Sequence, residues 1–222
     1  MAKPFFSIVA PYHNSEAWMA KGLDSVFSQT FEDFELIGVL DACTDGSEGV
    51  FDAYTLYTHH KKLITGYGRA GLARNAGMDA AEGEWVLFMD DDDWWIGDDA
   101  FEKIARIIGN IDRAGIPMDI LAFGFEWKGV GTKYNTPQHA WTAIWNKAYR
   151  REFLQKCGVR FPDWMHSDDD WFTRFVMPRA EVQYMDDVLY YYNFMREGSL
   201  TWKIEKGLLD PTIPARPEPP KK

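Results

Sequence analysis

Four consecutive aspartates, residues 90–93, come directly after an apolar segment, residues 86–89. Carboxylates held this closely repel one another by roughly 1 kcal/mol or more per close pair at a surface-like dielectric. An ordered arrangement of them therefore needs a cation or strong hydrogen-bond donors. Carboxylate oxygens favour hard divalent cations such as Mg²⁺ and Mn²⁺, which also bind phosphates. The run predicts a metal-assisted phosphate site, against the alternative of a solvated acidic turn before a helix.

A second acidic cluster, Asp168, Asp169 and Asp170, lies 78 residues after Asp90. A carboxylate placed near an acceptor hydroxyl can act as a general base. The alternative is a helix N-terminus that is enriched in acids because of the helix dipole. His166 comes directly before the cluster, where it is a candidate contact to an acceptor or a phosphate.

The segments around both clusters alternate between strands and helices, which is typical of a mostly parallel α/β sheet. Asn14 or Ser15 is predicted to cap the first helix. Ligands of such sheets bind beyond the carboxyl ends of the strands. Apolar runs predict strands over residues 6–10, 34–40, 62–65, 86–89 and 120–127, and helical spacing predicts helices over residues 18–27, 50–60, 71–81, 101–111 and 148–156.

Length and composition are typical of a globular domain, because 222 residues with 46% hydrophobic content can bury a full core. The net charge of −10 argues against a nucleic-acid partner. Cys43 and Cys157 have no metal-binding spacing and indicate unpaired thiols in a reducing compartment. No apolar stretch reaches the ~18 residues of a transmembrane helix. These features predict a cytoplasmic protein, with peripheral attachment to a membrane as an alternative. Residues 211–222 contain five prolines and predict a flexible tail.

Four segments of the chain resemble the family 2 glycosyltransferases of GT-A fold. They are residues 7–14, residues 23–36, residues 71–77 with 81–85, and the acidic run 90–93, which resembles the family's Asp-x-Asp signature. The resemblance covers about residues 6–201 and implies a single α/β GT-A domain over residues 1–210. Its mostly parallel central sheet would be flanked by helices. A Rossmann-like nucleotide-binding half would occupy about residues 1–95 and an acceptor-side half about residues 96–210.

The resemblance also implies an inverting, metal-dependent sugar transfer. Asp92 and Asp93 would hold Mn²⁺ or Mg²⁺. Arg74 matches a cation near the donor, although a single arginine here could instead lie on a helix surface. The donor would be a nucleotide-sugar, preferably a UDP-sugar, in contact with Pro11, Tyr12, Asn14, Asp41, Arg74, Asp90 and Asp91.

Spacing from Trp171 and Arg174 makes Asp168 the favoured base in this resemblance, with Asp169 as its rival. Further contacts to the diphosphate or the acceptor are expected from His166, Arg196 and Trp145, for which core packing is the alternative role. The acceptor would be a glycan, a lipid-linked or another hydroxyl compound. A catalytically degenerate fold that only binds saccharide or nucleotide-sugar remains the main alternative function.

Overall fold

The computed structural model describes residues 3–54 and 60–209, so the predicted proline-rich tail lies outside the described residues. The first half alternates strands and helices. Its strands are parallel and lie in the order β3-β2-β1-β4. The elements are β1 (Phe6–Tyr12), α1 (Met19–Phe27), β2 (Phe34–Asp41), α2 (Ser47–Asp52), β3 (His60–Thr65), α3 (Ala70–Ala80) and β4 (Trp85–Phe88).

The second half extends the same sheet in the order β8-β6-β9-β5, with β7 paired to β6. Strand β8 runs antiparallel to both β4 and β6, whereas β9 runs parallel to β6. The elements are β5 (Trp94–Trp95), α4 (Ala100–Arg113), β6 (Ile120–Trp127), β7 (Gly131–Lys133), β8 (Lys147–Arg150), α5 (Arg151–Cys157), α6 (Asp168–Val176), a 3-10 turn (Met177–Arg179), β9 (Val182–Tyr192) and α7 (Leu200–Glu205). The predicted α/β fold is confirmed, while the division into two functional halves stays a prediction.

Strands β1 and β2 are buried at every position, as expected for parallel strands that are covered on both faces. Helix α3 packs on these two strands at Gly77, where a Cβ atom would lie 2.4 Å from Val9 Cγ1. A glycine is therefore needed for the helix to approach the sheet this closely. This contact sets the distance between α3 and the sheet, and it thereby fixes the position of Arg74, one helical turn before Gly77.

Two predicted helices are wrong in part. The helix predicted over residues 50–60 ends at Asp52, and His60 already begins β3; residues 55–59 lie outside the described residues. The helix predicted over residues 148–156 starts at Arg151, because Lys147–Arg150 forms strand β8. Ala148 pairs with Leu87 on one side and with Leu121 on the other, so sheet pairing overrides the helical spacing. Strands β5, β7 and β9 were not predicted.

The predicted cap of α1 is also wrong, since no side chain caps that helix. Asn14 Oδ1 instead accepts the backbone N–H of Thr44 at 2.8 Å. Ser15 donates its hydroxyl to Asp91. Both side chains therefore connect loops at the carboxyl edge of the sheet. Among the helices of the described residues, none is long and apolar enough to cross a membrane.

Candidate functional site

Three parallel strands end at the same edge of the sheet. Tyr12 at the end of β1 pairs with Leu40 in β2, and Asp41 at the end of β2 pairs with Thr65 in β3. The acidic run follows β4 at this edge. The register therefore brings the predicted polar loops, residues 11–14, 41–47 and 90–93, to one side of the sheet, where ligands of parallel sheets bind.

Arg74 on α3 joins the two acidic clusters. Its Nη2 donates to Asp90 Oδ1 at 2.6 Å and its Nη1 donates to Asp168 Oδ2 at 2.7 Å. The arginine is buried and its Nε has no partner in the structure. Burial alone would lower the pKa of Arg74, but the charges of Asp90 and Asp168 raise it. Arg74 therefore lies inside the site as a cation, and not on a helix surface.

Each of the other carboxylates in the run 90–93 has a different partner. Asp91 accepts from Ser15 and, at 3.5 Å, from Trp18 Nε1. Asp92 Oδ2 accepts from Arg196 Nε at 2.5 Å. Asp93 Oδ1 accepts the backbone N–H of Asn193 at 2.8 Å, whereas its buried Oδ2 has no partner in the structure.

Burial and mutual repulsion raise the pKa values of Asp91, Asp92 and Asp93 and so favour their protonated forms. Burial, followed by the charge of Asp91, raises the pKa of Asp92 to about 7. Burial and the charge of Asp92 raise the pKa of Asp93 well above its ordinary value. The nearby Arg196 guanidinium only partly compensates this repulsion. The run therefore carries unfavourable charge that a cation would relieve.

These residues fit a cation that is shared with a phosphate ligand. Asp92 and Asp93 offer hard oxygens, including the unpartnered Oδ2 of Asp93. Within residues 3–54 and 60–209, no group of three or more His, Cys, Asp and Glu side chains is placed to share a metal. Mg²⁺ and Mn²⁺ sites of one or two carboxylates completed by phosphate oxygens do not need such a group. Metal binding by this run stays a prediction.

The three aspartates of the second cluster begin helix α6 and differ in their surroundings. Asp168 is buried and paired with Arg74. Asp170 pairs with Arg174 one turn along the helix. Asp169 is partly exposed, and burial followed by the charge of Asp168 raises its pKa to about 7. A carboxyl group with this pKa can exchange a proton near neutral pH.

Asp41 organises the loop that leads into α3. Its Oδ1 accepts from Thr65 Oγ1 at 2.9 Å and from the N–H of Tyr67 at 2.7 Å, and its Oδ2 accepts the N–H of Arg69 at 2.9 Å. Base recognition by Asp41 stays a prediction.

The remaining predicted site residues are spread over the edge and the core. Pro11 and Tyr12 are buried, and the Tyr12 ring packs on Phe51, with 5.9 Å between ring centroids. Trp145 stacks on Tyr190 with 4.8 Å between centroids and is 4% exposed, which supports the core-packing role. His166 lies beside the start of α6, where its Nδ1 is 3.1 Å from Ser167 Oγ.

Backbone strain marks the same site. Among the described residues, four non-glycine residues have positive φ, and each adjoins a predicted site loop or residue: Asn14, Ala42, Ser167 and Met195. Strained residues of this kind cluster at functional sites. The structure also adds Ser15, Trp18 and Tyr190 to the site, since the Asp90 N–H donates to Tyr190 Oη at 3.0 Å. Positive φ and long-range contacts of this kind left no signal in the single sequence.

Comparison with known proteins supports the fold and identifies relatives of the chain. The chain is 28% identical over 211 residues to the poly(ribitol-phosphate) beta-N-acetylglucosaminyltransferase TarS of Staphylococcus aureus, covering 87% of this chain and 36% of TarS. It is 28% identical over 212 residues to the poly(ribitol-phosphate) beta-glucosyltransferase of Bacillus spizizenii, covering 86% of this chain and 32% of that protein. The chain thus spans about a third of the length of these two relatives.

Solved structures show the same architecture. The structure of TarS residues 1–349 with UDP-GlcNAc matches with a TM-score of 0.76 at 26% identity, covering 89% of this chain and 60% of that chain. The same fragment with UDP matches with a TM-score of 0.74 and covers 84% of this chain. The sequence model of the family described as Glycosyl transferase family 2 matches residues 7–172. With three quarters of its length inside that match, the chain belongs to glycosyl transferase family 2 and has the GT-A fold.

Proposed function

We propose that this protein is an inverting, metal-dependent glycosyltransferase that moves a sugar from a nucleotide-sugar donor to an acceptor hydroxyl. The observation that carries this proposal is the double ion pair of Arg74, which holds Asp90 and Asp168 at one edge of the sheet. One acidic cluster can then serve the donor while the other serves the acceptor. The TarS structures with UDP and UDP-GlcNAc support a UDP-sugar as the donor.

The donor would lie across the strand ends. Pro11, Asn14 and Asp41 would border the nucleotide base, and Asp90 and Asp91 would lie near the ribose and the diphosphate. Asp92 and Asp93 would hold Mn²⁺ or Mg²⁺. When bound, the cation supplies positive charge that stabilises the departing nucleoside diphosphate. Arg74 holds the Asp90 and Asp168 side chains in place through its two ion pairs.

We propose Asp169 as the base, although the family spacing favours Asp168. Asp168 is buried and its Oδ2 accepts from Arg74 Nη1 at 2.7 Å, so this carboxylate is already engaged in an ion pair. Asp169 has a pKa raised to about 7 by burial and by the charge of Asp168. A base acts best when its pKa lies near the working pH. We therefore assign proton abstraction to Asp169 and orientation of Arg74 to Asp168.

The reaction follows from this arrangement. Asp169 takes the proton of the acceptor hydroxyl as the oxygen attacks the anomeric carbon of the donor. The bond between that carbon and the diphosphate oxygen breaks on the opposite face, so the configuration inverts. The acceptor would be a glycan, a lipid-linked or another hydroxyl compound, and the relatives' names make a poly(ribitol-phosphate) a reasonable first acceptor to test. The predicted cytoplasmic location is part of this proposal.

The matched variants Asp169→Asn and Asp168→Asn test the mechanism. Asp169→Asn should lower turnover by roughly 10²–10⁴ while the affinity for UDP with Mn²⁺ stays within about threefold, because a base need not touch the nucleotide. Turnover is measured as UDP release from UDP-GlcNAc, with and without acceptor and Mn²⁺, and NMR gives the anomeric configuration of the product. Normal turnover of Asp169→Asn, or a retained configuration, would contradict the assignment. Donor binding without any turnover would favour the saccharide-binding alternative.

The pH profile separates the two aspartates. Because a base must be ionised, kcat/KM should fall as the pH drops below about 7, the raised pKa of Asp169. Asp168→Asn removes the charge that raises this pKa, so the acid limb should move down by about one pH unit. If Asp168 is the base, Asp168→Asn should instead abolish turnover at every pH.

A further inference from the structure

The segment between β9 and α7, residues 193–199, closes over the acidic run and is called the closing segment below. Two hydrogen bonds attach it to the acidic run. The backbone N–H of Asn193 donates to Asp93 Oδ1 at 2.8 Å, and Arg196 Nε donates to Asp92 Oδ2 at 2.5 Å. The first contact uses the backbone beside β9, whereas the second uses a long side chain that can leave without moving the strand.

Arg196 is placed as a counter-cation for the run. Its guanidinium carbon lies 3.7 Å from the centre of the Trp18 ring, and its side chain is 16% exposed. The Asp92 side chain is 13% exposed and meets the charges of Asp91 and Asp90 as well as that of Arg196. Arg196 therefore supplies positive charge to the carboxylate that the proposed function assigns to the metal.

The backbone near Arg196 is left-handed at two positions, one on each side of it. Met195 has a φ of 58° and Gly198 a φ of 83°. The left-handed conformation is unfavourable for a residue with a side chain such as Met. The contact of Arg196 with Asp92 and Trp18 helps to hold this conformation, so losing the contact should allow the segment to change.

We propose that Arg196 occupies Asp92 in the donor-free protein and gives up this carboxylate when a divalent cation binds, after which its guanidinium is available to the donor diphosphate. The inference rests on the proposed function, which places the metal at Asp92. In the absence of nucleotide, the metal and Arg196 would compete for the Asp92 carboxylate. In the presence of nucleotide, the metal and Arg196 would both bind the diphosphate. Removing Arg196 should therefore have opposite effects on the affinities for free metal and for the nucleotide.

The test measures Mn²⁺ binding by electron paramagnetic resonance and UDP binding by calorimetry, without turnover. Arg196→Gln should bind Mn²⁺ alone about tenfold more tightly and UDP in the presence of Mn²⁺ about tenfold more weakly, as expected when one charge-assisted contact is lost from each state. Arg196→Lys keeps the charge and should stay near the wild type for Mn²⁺. Unchanged or weaker Mn²⁺ binding by Arg196→Gln would overturn the proposal.

Two controls identify the carboxylate and the effect of charge. Arg160→Gln removes an equal charge from an ion pair with Asp79 elsewhere and should leave both affinities unchanged. In the Asp92→Asn background, Arg196→Gln should no longer improve Mn²⁺ binding. A gain that persists without Asp92 would place the competition elsewhere and overturn the proposal.

The outcome also separates this inference from the proposed function. If the wild type binds Mn²⁺ and UDP but Arg196→Gln changes neither affinity, only the competition by Arg196 is overturned. If neither protein binds Mn²⁺, the metal requirement of the proposed function fails and this inference fails with it.

Discussion

Carboxylates lie at both ends of the parallel strands, and their surroundings differ. At the amino ends, Glu35 of β2 accepts from Ser7 Oγ, from the N–H of Glu82 and from Lys61 Nζ, each at 2.7 Å. The N–H of Gly83 also donates to Ser7 Oγ at 2.8 Å. These hydrogen bonds among Ser7, Glu35, Lys61, Glu82 and Gly83 are called the basal network below. Every oxygen of Glu35 has a donor, so the network links β1, β2, β3 and the turn before β4.

The pKa values at the two ends move in opposite directions. Burial would raise the pKa of Glu35, but its hydrogen bonds from Lys61, Glu82 and Ser7 lower it below its ordinary value. At the carboxyl ends, burial and neighbouring carboxylates raise the pKa of Asp92 and of Asp169 to about 7. Both ends bury acids, but only the basal network supplies enough donors. Too few hydrogen-bond donors reach the carboxylates at the carboxyl edge. This shortage of donors favours the binding of a cation there and allows one carboxylate to act as a base.

Arg74 joins the two acidic clusters, residues 90–93 and 168–170, which together are called the acidic edge below. Replacing Arg74 should have the largest effect on the free energy of unfolding. Arg74→Met leaves Asp90 and the buried Asp168 without their shared cation, which should lower the free energy of unfolding by about 3–5 kcal/mol. Urea denaturation at pH 7 measures the change. Adding Asp168→Asn to the variant removes one of the uncompensated charges and should restore more than about 1 kcal/mol.

The control for Arg74 is Arg160, whose exposed ion pair with Asp79 joins α3 to a loop. Arg160→Met should change stability by less than about 0.5 kcal/mol, as surface pairs usually do. A loss below about 1 kcal/mol in Arg74→Met would show that Arg74 does not hold the two clusters together.

The basal network gives the next largest effect. Glu35→Gln keeps the shape but turns an amide toward Lys61, and should lower the free energy of unfolding by about 1–3 kcal/mol at pH 7. Because the folded pKa of Glu35 is lowered, its contribution is present above the unfolded pKa of about 4.3 and is lost as the pH falls through the folded pKa. The difference between wild type and Glu35→Gln should therefore shrink at low pH.

Glu82→Gln is the matched control, since its carboxylate binds the same Lys61 but is 65% exposed. It should change stability by less than about 0.5 kcal/mol. Equal effects of the two substitutions would show that Lys61 pairing alone, and not the buried network, stabilises this end of the sheet.

Much of this fold was predictable because local pattern and tertiary structure agree. The apolar runs predicted β1, β2 and β6 to within two residues at each end. Strand β8 was not predictable in the same way, because its fully buried Lys147 reads as a surface residue. The structure satisfies its ammonium with Trp141 O, Ala143 O and Asn146 Oδ1 at 2.6–2.7 Å. A buried cation of this kind depends on loop geometry that the sequence does not display.

The location of the site was predictable, but its internal pairing was not. Strand ends followed by acids marked the carboxyl edge, and the spacing marked α6. The partners of those acids are far along the chain: Arg74 precedes Asp168 by 94 residues, and Arg196 follows Asp92 by 104 residues. Because such pairs depend on the packing of whole elements, single-sequence reasoning left Arg74 with two alternative roles and left Asp168 and Asp169 both open as the base.

The smallest predicted effect is that of Asp92→Asn, which should stabilise the protein where the previous substitutions destabilise it. It tests whether the carboxylates of the acidic edge lack hydrogen-bond donors. The pKa of Asp92 is raised to about 7, so the folded state binds its proton more tightly than the unfolded state does. The resulting penalty is fully present above about pH 7 and disappears as the pH falls toward about 4. Asp92→Asn removes the penalty but also weakens the contact with Arg196.

Without metal, Asp92→Asn should therefore change the free energy of unfolding by no more than about 1 kcal/mol, in the stabilising direction at pH 8. The difference in the free energy of unfolding between Asp92→Asn and the wild type should be smaller at pH 5, where Asp92 is largely protonated. Urea denaturation of both proteins at the two pH values measures this slope, with the exposed Asp98→Asn as the control. The contrary outcome is that the stability of Asp92→Asn, relative to the wild type, increases on going from pH 8 to pH 5. That would mean that Arg196 fully offsets the burial and repulsion of the Asp92 carboxylate. The carboxylates of the acidic edge would then be as well supplied with donors as Glu35 is in the basal network.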